Sequence, residues 1–198
     1  PTAVTASVLA SQPVVTQTVS FQSGSGAQTK HYTGANLWNL LASMGIQTDS
    51  SRKNDVLNRY VLATGSDGYR SVFALGELHP EYGNKGSILA YAETQNGTTA
   101  PLGSEDGPFR ATAPGDVKGG RYVSNLVRLD VRTSGSTAAA TGGGVSEGFE
   151  VSGAVLRPQR FDLAALQALP ASTQTVGTSS YTGVGLWALL NTVTGLKT

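Results

Sequence analysis

The segment YTGANLWNLL, residues 32–41, occurs a second time as YTGVGLWALL, residues 181–190. Seven of the ten positions are identical, and both tryptophans of the chain lie in these segments. A shorter similarity precedes each copy, since PVVTQTV at 13–19 resembles PASTQTV at 170–176. Because a duplicated sequence unit implies a duplicated structural unit, this pattern predicts that one strand and helix element occurs twice.

The second copy covers less of the repeat than the first. Residues 196–198 correspond to residues 46–48, and the given sequence ends there. We therefore expect residues 1–132 to form a complete domain and residues 146–198 to form the N-terminal part of a second repeat. Residues 133–145 between them are rich in Ser, Thr, Ala and Gly without periodicity, which is typical of a flexible linker.

Composition narrows the class of protein. Only 14% of the 198 residues are charged, well below the usual quarter, and this balance favours a β-rich secreted or periplasmic protein. The net charge of +1 gives no electrostatic reason to expect nucleic acid or an anionic membrane as a partner. The apolar runs are too short for a membrane span.

The chain has no cysteine, so disulfides, zinc–thiolate sites and iron–sulfur clusters are excluded. We expect no haem either. The two histidines, His31 and His79, are far apart in sequence. We expect them to be ordinary surface or strand residues rather than metal ligands.

Periodicity predicts the elements of the repeated unit. Apolar and polar residues alternate over 15–21, which indicates a strand, and a turn follows at 23–26. Thr33 and Gly34 are expected to open a helix, because apolar residues then follow at helical spacing. These residues are Leu37, Leu40, Leu41 and Met44.

The rest of the chain gives mostly strand signals, including an Asp67-Gly68 turn between apolar runs, which is a strong hairpin signal. The predicted fold class is α+β, with a mixed, mostly antiparallel sheet and short helices. The other predicted elements are helices at 53–58 and 75–78, strands at 60–64, 69–74, 88–92, 109–113 and 122–131 with a bulge near Asn125, a strand at 149–155, a helix capped by Asp162, and a strand near Gln174.

Standard catalytic and nucleotide-binding motifs are missing from the chain. One glycine-rich region is more suggestive, because Arg110, Lys118 and Arg121 surround glycines whose amides could approach an anion. The alternative is a connection between strands with solvated charges. The scattered acids are expected to serve turns and caps; they are Asp67, Glu77, Glu81 and Asp106. Four aromatic residues could line a pocket, but a core role is favoured; they are Tyr32, Trp38, Tyr69 and Tyr122.

Several short motifs occur in a characteristic order. They are TVSFQSG at 18–24, YTG at 32–34, DGY at 67–69, ILA at 88–90, NG at 96–97, GPFR at 107–110, PG at 114–115 and GRYV at 120–123. In this order the chain resembles the molybdopterin-binding domain of sulfite-oxidase-type oxidoreductases, over roughly residues 16–131. The resemblance implies that family's α+β fold, in which a dithiolene pterin holds a molybdenum oxo centre.

The chain departs from that family at functional positions. Ser23 lies where the family supplies a cysteine thiolate to molybdenum, and a serine hydroxyl is a harder, more basic ligand. Asp106 replaces a histidine, and Ser124 replaces a lysine. Arg110 and Arg121 are kept. The cofactor-binding positions implied by the resemblance and the glycine-rich region are Ser23, Tyr69, Asp106, Arg110, Lys118, Arg121 and Ser124.

Three functional hypotheses follow, and molybdopterin is the cofactor that the resemblance implies. The first is a secreted, degenerate, non-redox member that binds a small anionic or pterin ligand or a partner. The second is an active molybdopterin-dependent oxidoreductase in which Ser23, or no protein group, coordinates the metal. The third is a structural or assembly module that forms homo-oligomers through the partial repeat. The sequence favours a non-enzymatic role.

The partial repeat has too little sheet to bury its own amphipathic helix. That helix must therefore pack on the first domain, pack on a partner chain, or stay partly exposed. The face expected to be buried consists of Leu186, Trp187, Leu189 and Leu190.

Overall fold

The computed structural model of the chain describes residues 3–135 and 143–197. The chain divides into two compact units, Pro1–Ser136 and Thr137–Thr198, called unit 1 and unit 2 below. Most of the linker predicted at 133–145 lies outside the described residues.

Unit 1 is built mainly from antiparallel strands. Its strands are β1 (Val14–Ser23), β2 (Gly26–Asn36), β3 (Arg59–Gly65), β4 (Arg70–Ala74), β5 (Ile88–Gln95), β6 (Thr98–Pro101), β7 (Arg110–Ala111) and β8 (Leu126–Thr133). Its helices are α1 (Ala6–Ala10), α2 (Leu37–Ser43) and α3 (Leu75–Leu78), with 3-10 helices at Asp55–Asn58 and Gly119–Arg121.

These strands form two sheets. The first sheet has the order β1-β2-β5-β6, and β7 also pairs with β5. The second sheet has the order β4-β3-β8. Every ladder between the described strands of unit 1 is antiparallel. The predicted α+β class with mostly antiparallel sheets and short helices is therefore confirmed.

A single apolar cluster joins both sheets and the helices. Alternation along β3 shows how it forms, because Val61 and Ala63 are fully buried while their neighbours are only half-buried. Each buried large apolar side chain contributes about 1.5–3 kcal/mol relative to exposure. The largest fully buried apolar and aromatic side chains of unit 1 are Tyr32, Leu37, Leu40, Val61, Phe73, Leu75, Ile88 and Val123.

The predicted start of the first repeated helix is wrong. Thr33 and Gly34 lie in β2, and α2 begins at Leu37. The Asn36 side chain caps α2 by accepting a hydrogen bond of 3.0 Å from the amide three residues later. Gly34 instead serves the sheet, because a Cβ there would lie 2.1 Å from the carbonyl oxygen of Leu89 in β5.

The strand predicted at 122–131 begins only at Leu126. Before it, Val123 exchanges backbone hydrogen bonds of 3.0 and 3.2 Å with Ala111 of the first sheet. The chain then passes to the second sheet through Asn125, whose φ of 47° marks the irregularity predicted there. This crossing between sheets shortens β8 at its start. It also leaves only two residues of the strand predicted at 109–113 in regular pairing.

Unit 2 contains two hairpins and short helices. Its described elements are β9 (Phe149–Val151), β10 (Gln159–Phe161), α4 (Leu163–Gln167), β11 (Ser172–Val176), β12 (Ser179–Gly183), α5 (Leu186–Ala188) and a π-helix at Leu189–Val193. The predicted cap is confirmed, since Asp162 accepts a hydrogen bond of 2.8 Å from the amide of Ala165. None of the helices in the described residues is long and apolar enough to cross a membrane.

Within the described chain the first turn of the second repeated helix is exposed, and its burial against a partner chain stays a prediction. Leu186 and Trp187 are each 68% exposed, whereas Leu189 is 4% exposed. The small sheet that precedes this helix explains the exposure of Leu186 and Trp187. In the described residues β11 and β12 form a two-stranded sheet without a third strand, so it offers little surface against which the helix could pack.

Candidate functional site

An aromatic cage surrounds Arg110, which β7 holds beside β5. The Cζ atom of Arg110 lies 5.9 Å from the ring centroid of Phe21 and 5.7 Å from those of Tyr32 and Tyr122. The rings of Phe21 and Tyr122 are themselves stacked at 4.3 Å. Because Arg110 is only 9% exposed, its charge is largely removed from water, where a cation over aromatic faces is stabilised most.

A carboxylate neutralises this buried cation. Asp106, four residues earlier in the chain, forms an ion pair and a hydrogen bond with Arg110. Asp106 also accepts a hydrogen bond of 3.3 Å from Ser124 and one of 3.5 Å from the hydroxyl of Tyr32. The described side-chain contacts of Asp106 are therefore with Arg110, Tyr32 and Ser124.

The cage contains two polar atoms without partners. The Nε of Arg110 and the hydroxyl of Tyr122 are both buried and form no hydrogen bond with the described residues. Burial is the main cause that raises the pKa of Tyr122 to about 12, and it raises the pKa of Tyr32 further. Both phenols are therefore neutral hydrogen-bond donors at neutral pH.

A second ion-pair network holds Arg121. Its guanidinium pairs with Asp116 at 2.7 Å and with Glu77 at 2.8 Å. Lys85 pairs with the same Asp116 at 2.6 Å. The hydrogen bond from Arg121 is the main cause that lowers the pKa of Asp116 to about 2, and Lys85 contributes to the same effect.

Two further predicted positions lie beside this network. The hydroxyl of Tyr69 donates a hydrogen bond of 2.5 Å to the carbonyl oxygen of Gly120, the residue before Arg121. Tyr69 is half-exposed, so the expectation that it belongs to the core is wrong. Lys118 is exposed and forms no ion pair with the described residues.

Ser23 lies at the tip of the β1–β2 hairpin and is exposed. Its hydroxyl donates a hydrogen bond of 3.1 Å to the carbonyl oxygen of Gly26 and accepts one of 3.1 Å from the amide of Ser25. These bonds stabilise a tight turn. The turn gives Ser23 a structural role that requires no metal.

The structure thus brings Asp106, Arg110 and Ser124 into one cluster. Arg121 belongs to the second ion-pair network, and Tyr69 lies beside that network. No hydrogen bond or ion pair joins Ser23 to either cluster within the described part of the chain. Sequence reasoning missed Glu77 and Asp116 as partners of Arg121, and Lys85 as a second cation on the same carboxylates. It also missed the cage role of Phe21. Only the short spacings between Asp106 and Arg110 and between Asp116 and Arg121 offered a local signal for these ion pairs.

A separate apolar groove of about 950 Å³ lies in unit 1. Leu41, Met44 and Ile46 line one side, and Phe109 and Leu129 line another. None of the seven predicted site residues lines this groove or a smaller polar pocket of about 280 Å³ beside His31. The predicted positions therefore lie outside both cavities.

The histidines show no metal-binding arrangement. His31 forms a hydrogen bond of 2.9 Å with Thr18, and His79 packs on Trp38 with ring centroids 4.3 Å apart. Within 3–135 and 143–197 there is no group of three or more His, Cys, Asp or Glu side chains that could hold a metal ion. Comparison of the chain with models of known protein families and with curated protein sequences finds no match.

Proposed function

We propose that unit 1 has the molybdopterin-domain fold of sulfite-oxidase-type oxidoreductases and that the chain is a degenerate, non-redox, secreted or periplasmic member that binds a partner. The ordered motifs and the antiparallel α+β architecture support the fold. The low content of charged residues supports the secreted class. The two ion-pair clusters support the non-redox role, and the exposed Leu186 and Trp187 of unit 2 support the binding of a partner.

The observation that carries the proposal is the Asp106–Arg110 pair. The resemblance makes Arg110 a cofactor-binding position, but the Asp106 carboxylate already neutralises this guanidinium inside the cage. An entering anion would be repelled by Asp106 and would leave it unpaired. Breaking a buried ion pair costs about 3–5 kcal/mol, so the site disfavours an anionic ligand.

The other implied positions fit molybdopterin no better. Arg121 is engaged by Asp116 and Glu77, and Ser23 is engaged by the backbone of its own turn. The side chains that would bind the phosphate and the metal are therefore committed to structural contacts. We derive no redox role for them.

Production of the full chain in a host that makes molybdopterin tests this proposal. We expect substoichiometric molybdenum by elemental analysis and no sulfite-dependent reduction of an electron acceptor, for the wild type and for Ser23→Cys alike. Stoichiometric molybdenum with turnover in the wild type would overturn the proposal. Loading of Ser23→Cys would show that only the ligand is missing, and would refute the argument from Asp106 and Arg110.

A second candidate function is the binding of a small anion at the cage. The unpartnered Nε of Arg110 and hydroxyl of Tyr122 favour it, because both are donors. Calorimetric titration with inorganic phosphate tests it. Binding by the wild type that is lost in Arg110→Met would support this candidate against partner binding, whereas binding only by Asp106→Asn would show that Asp106 excludes the anion.

A further inference from the structure

The two repeats form the same hairpin with the same pairing of residues. Gln17 pairs with Tyr32 in unit 1, and their counterparts Gln174 and Tyr181 pair in unit 2. The first hairpin has strands of 10 and 11 residues, whereas β11 and β12 have five each. The second hairpin is therefore shortened at its turn, and the end that leads into the helix is retained.

In unit 1 a third strand covers the outer edge of this hairpin. Strand β5 pairs antiparallel with β2, and Ala90 lies opposite Gly34. The approach is close, since a Cβ on Gly34 would lie 2.7 Å from the Cα of Ala90 and 2.1 Å from the oxygen of Leu89. At the end of the strand, the amide of Leu37 donates a hydrogen bond of 2.8 Å to the carbonyl of Ser87.

In unit 2 the corresponding edge pairs with no strand among the residues that the structure describes. Gly183 is the counterpart of Gly34, but a Cβ on it would meet no atom of the described residues within 4 Å. Every residue of β12 is exposed. Tyr181 is 62% exposed, whereas its counterpart Tyr32 is 1% exposed. Unit 2 thus has the glycine and the tyrosine of this edge, but no strand in the described residues pairs with it.

We propose that the outer edge of β12 binds an extended segment of a protein partner as a third antiparallel strand. The covering strand of unit 1 defines the chemistry of this segment: two large aliphatic residues, as at Ile88 and Leu89, followed by a small residue opposite Gly183. Strand addition of this kind is a recurring mode of peptide recognition, in which main-chain hydrogen bonds supply affinity and side-chain pockets supply specificity. The inference rests on the partner-binding role proposed above.

A second copy of the chain does not supply this segment. Two strands in the described residues have the required pattern. They are β3, with Val61, Leu62 and Ala63 in the centre of the second sheet, and β5, whose Ile88, Leu89 and Ala90 are 0–2% exposed in unit 1. Freeing either strand would break its pairing with its neighbours and expose its buried side chains, at about 1.5–3 kcal/mol for each large one. A strand from a different polypeptide carries no such cost.

A labelled peptide with the sequence of residues 85–95, KGSILAYAETQ, tests the proposal by fluorescence anisotropy against the full chain. We expect saturable binding that Gly183→Val weakens at least about tenfold, because an added side chain blocks the close approach of the strand. The free protein has room at this position, so the melting temperature should not change. Ser172→Val is the matched control; it adds a similar side chain on β11, across from Gly183, and should change the affinity by less than about twofold.

Absence of saturable binding, or equal binding by Gly183→Val, would overturn the inference. Equal binding would mean that the peptide enters elsewhere, for example by replacing β5. Sedimentation that shows a dimer of the free chain, lost in Gly183→Val, would assign the edge to a second copy and also overturn it. Failure of the peptide with metal-free protein refutes this inference alone, whereas molybdenum-dependent turnover refutes the proposed function.

Discussion

Alanine at Gly34 should destabilise unit 1 strongly. The new Cβ would lie 2.1 Å from the oxygen of Leu89 and 2.7 Å from the Cα of Ala90, where ordinary contacts begin at 3.4 Å. Both neighbours are backbone atoms, so neither can rotate away, and β2 and β5 must separate. Overpacking costs about 1–3 kcal/mol, and stretching a ladder hydrogen bond on each side costs about 1 kcal/mol more per bond. We expect a loss of about 3–5 kcal/mol.

The second repeat supplies a matched control within the same chain. Gly183 follows the same Tyr-Thr pair, but its Cβ would meet no described atom within 4 Å, so Gly183→Ala should change stability by less than about 0.5 kcal/mol. Urea denaturation followed by far-ultraviolet circular dichroism measures both variants. Equal midpoints for the two variants, or a loss below about 1 kcal/mol for Gly34→Ala, would refute the reasoning.

Three other predictions concern charges and phenols. Asp106→Asn should cost about 3 kcal/mol in urea denaturation because it leaves a buried cation unpaired, whereas Asp130→Asn, in a pair with largely exposed arginines, should cost less than about 1 kcal/mol. Asp116 has a pKa lowered to about 2, so its stabilising effect is present above pH 4 and is lost as the pH falls toward 2. The melting temperature should therefore fall more steeply over this range in the wild type than in Asp116→Asn, and parallel curves would contradict it. Burial raises the pKa values of Tyr32 and Tyr122; ultraviolet titration at pH 11 should therefore show about two fewer ionised tyrosines in the folded than in the urea-unfolded chain, and equal numbers would contradict it.

Local signals predicted the elements that depend on nearby residues. The Asp67-Gly68 turn joins β3 and β4 as expected, since Asp67 accepts a hydrogen bond of 2.9 Å from the amide of Tyr69. The Asp162 cap is equally local. Such contacts span two or three residues and are encoded by residue type alone. The sequence therefore sufficed for the fold class and for most strand positions.

Contacts between distant residues could not be predicted in this way. Gly34 looked like the start of a helix because its sequence neighbours are helical, but the carbonyl of Leu89, more than 50 residues later, determines its role. The Lys85–Asp116 and Glu77–Arg121 pairs likewise join separate segments. Arg110 was identified as a candidate anion site. The Asp106 carboxylate neutralises its charge. The sequence did not predict this pairing, because it depends on the buried cage around both side chains.

Comparison of the two repeats separates the structure that the local sequence determines from the burial that tertiary packing determines. The same Tyr-Thr-Gly sequence forms the same hairpin in both units, yet Tyr32 is 1% exposed and Tyr181 is 62% exposed. Hairpin pairing thus does not require the contacts that bury Tyr32 in unit 1, which include Arg110 and Asp106. Covering Tyr181, Leu186 and Trp187 would contribute about 1.5–3 kcal/mol per side chain. A partner whose side chains reached these residues from the outer edge of β12 would gain enough to offset much of the cost of ordering an extended segment.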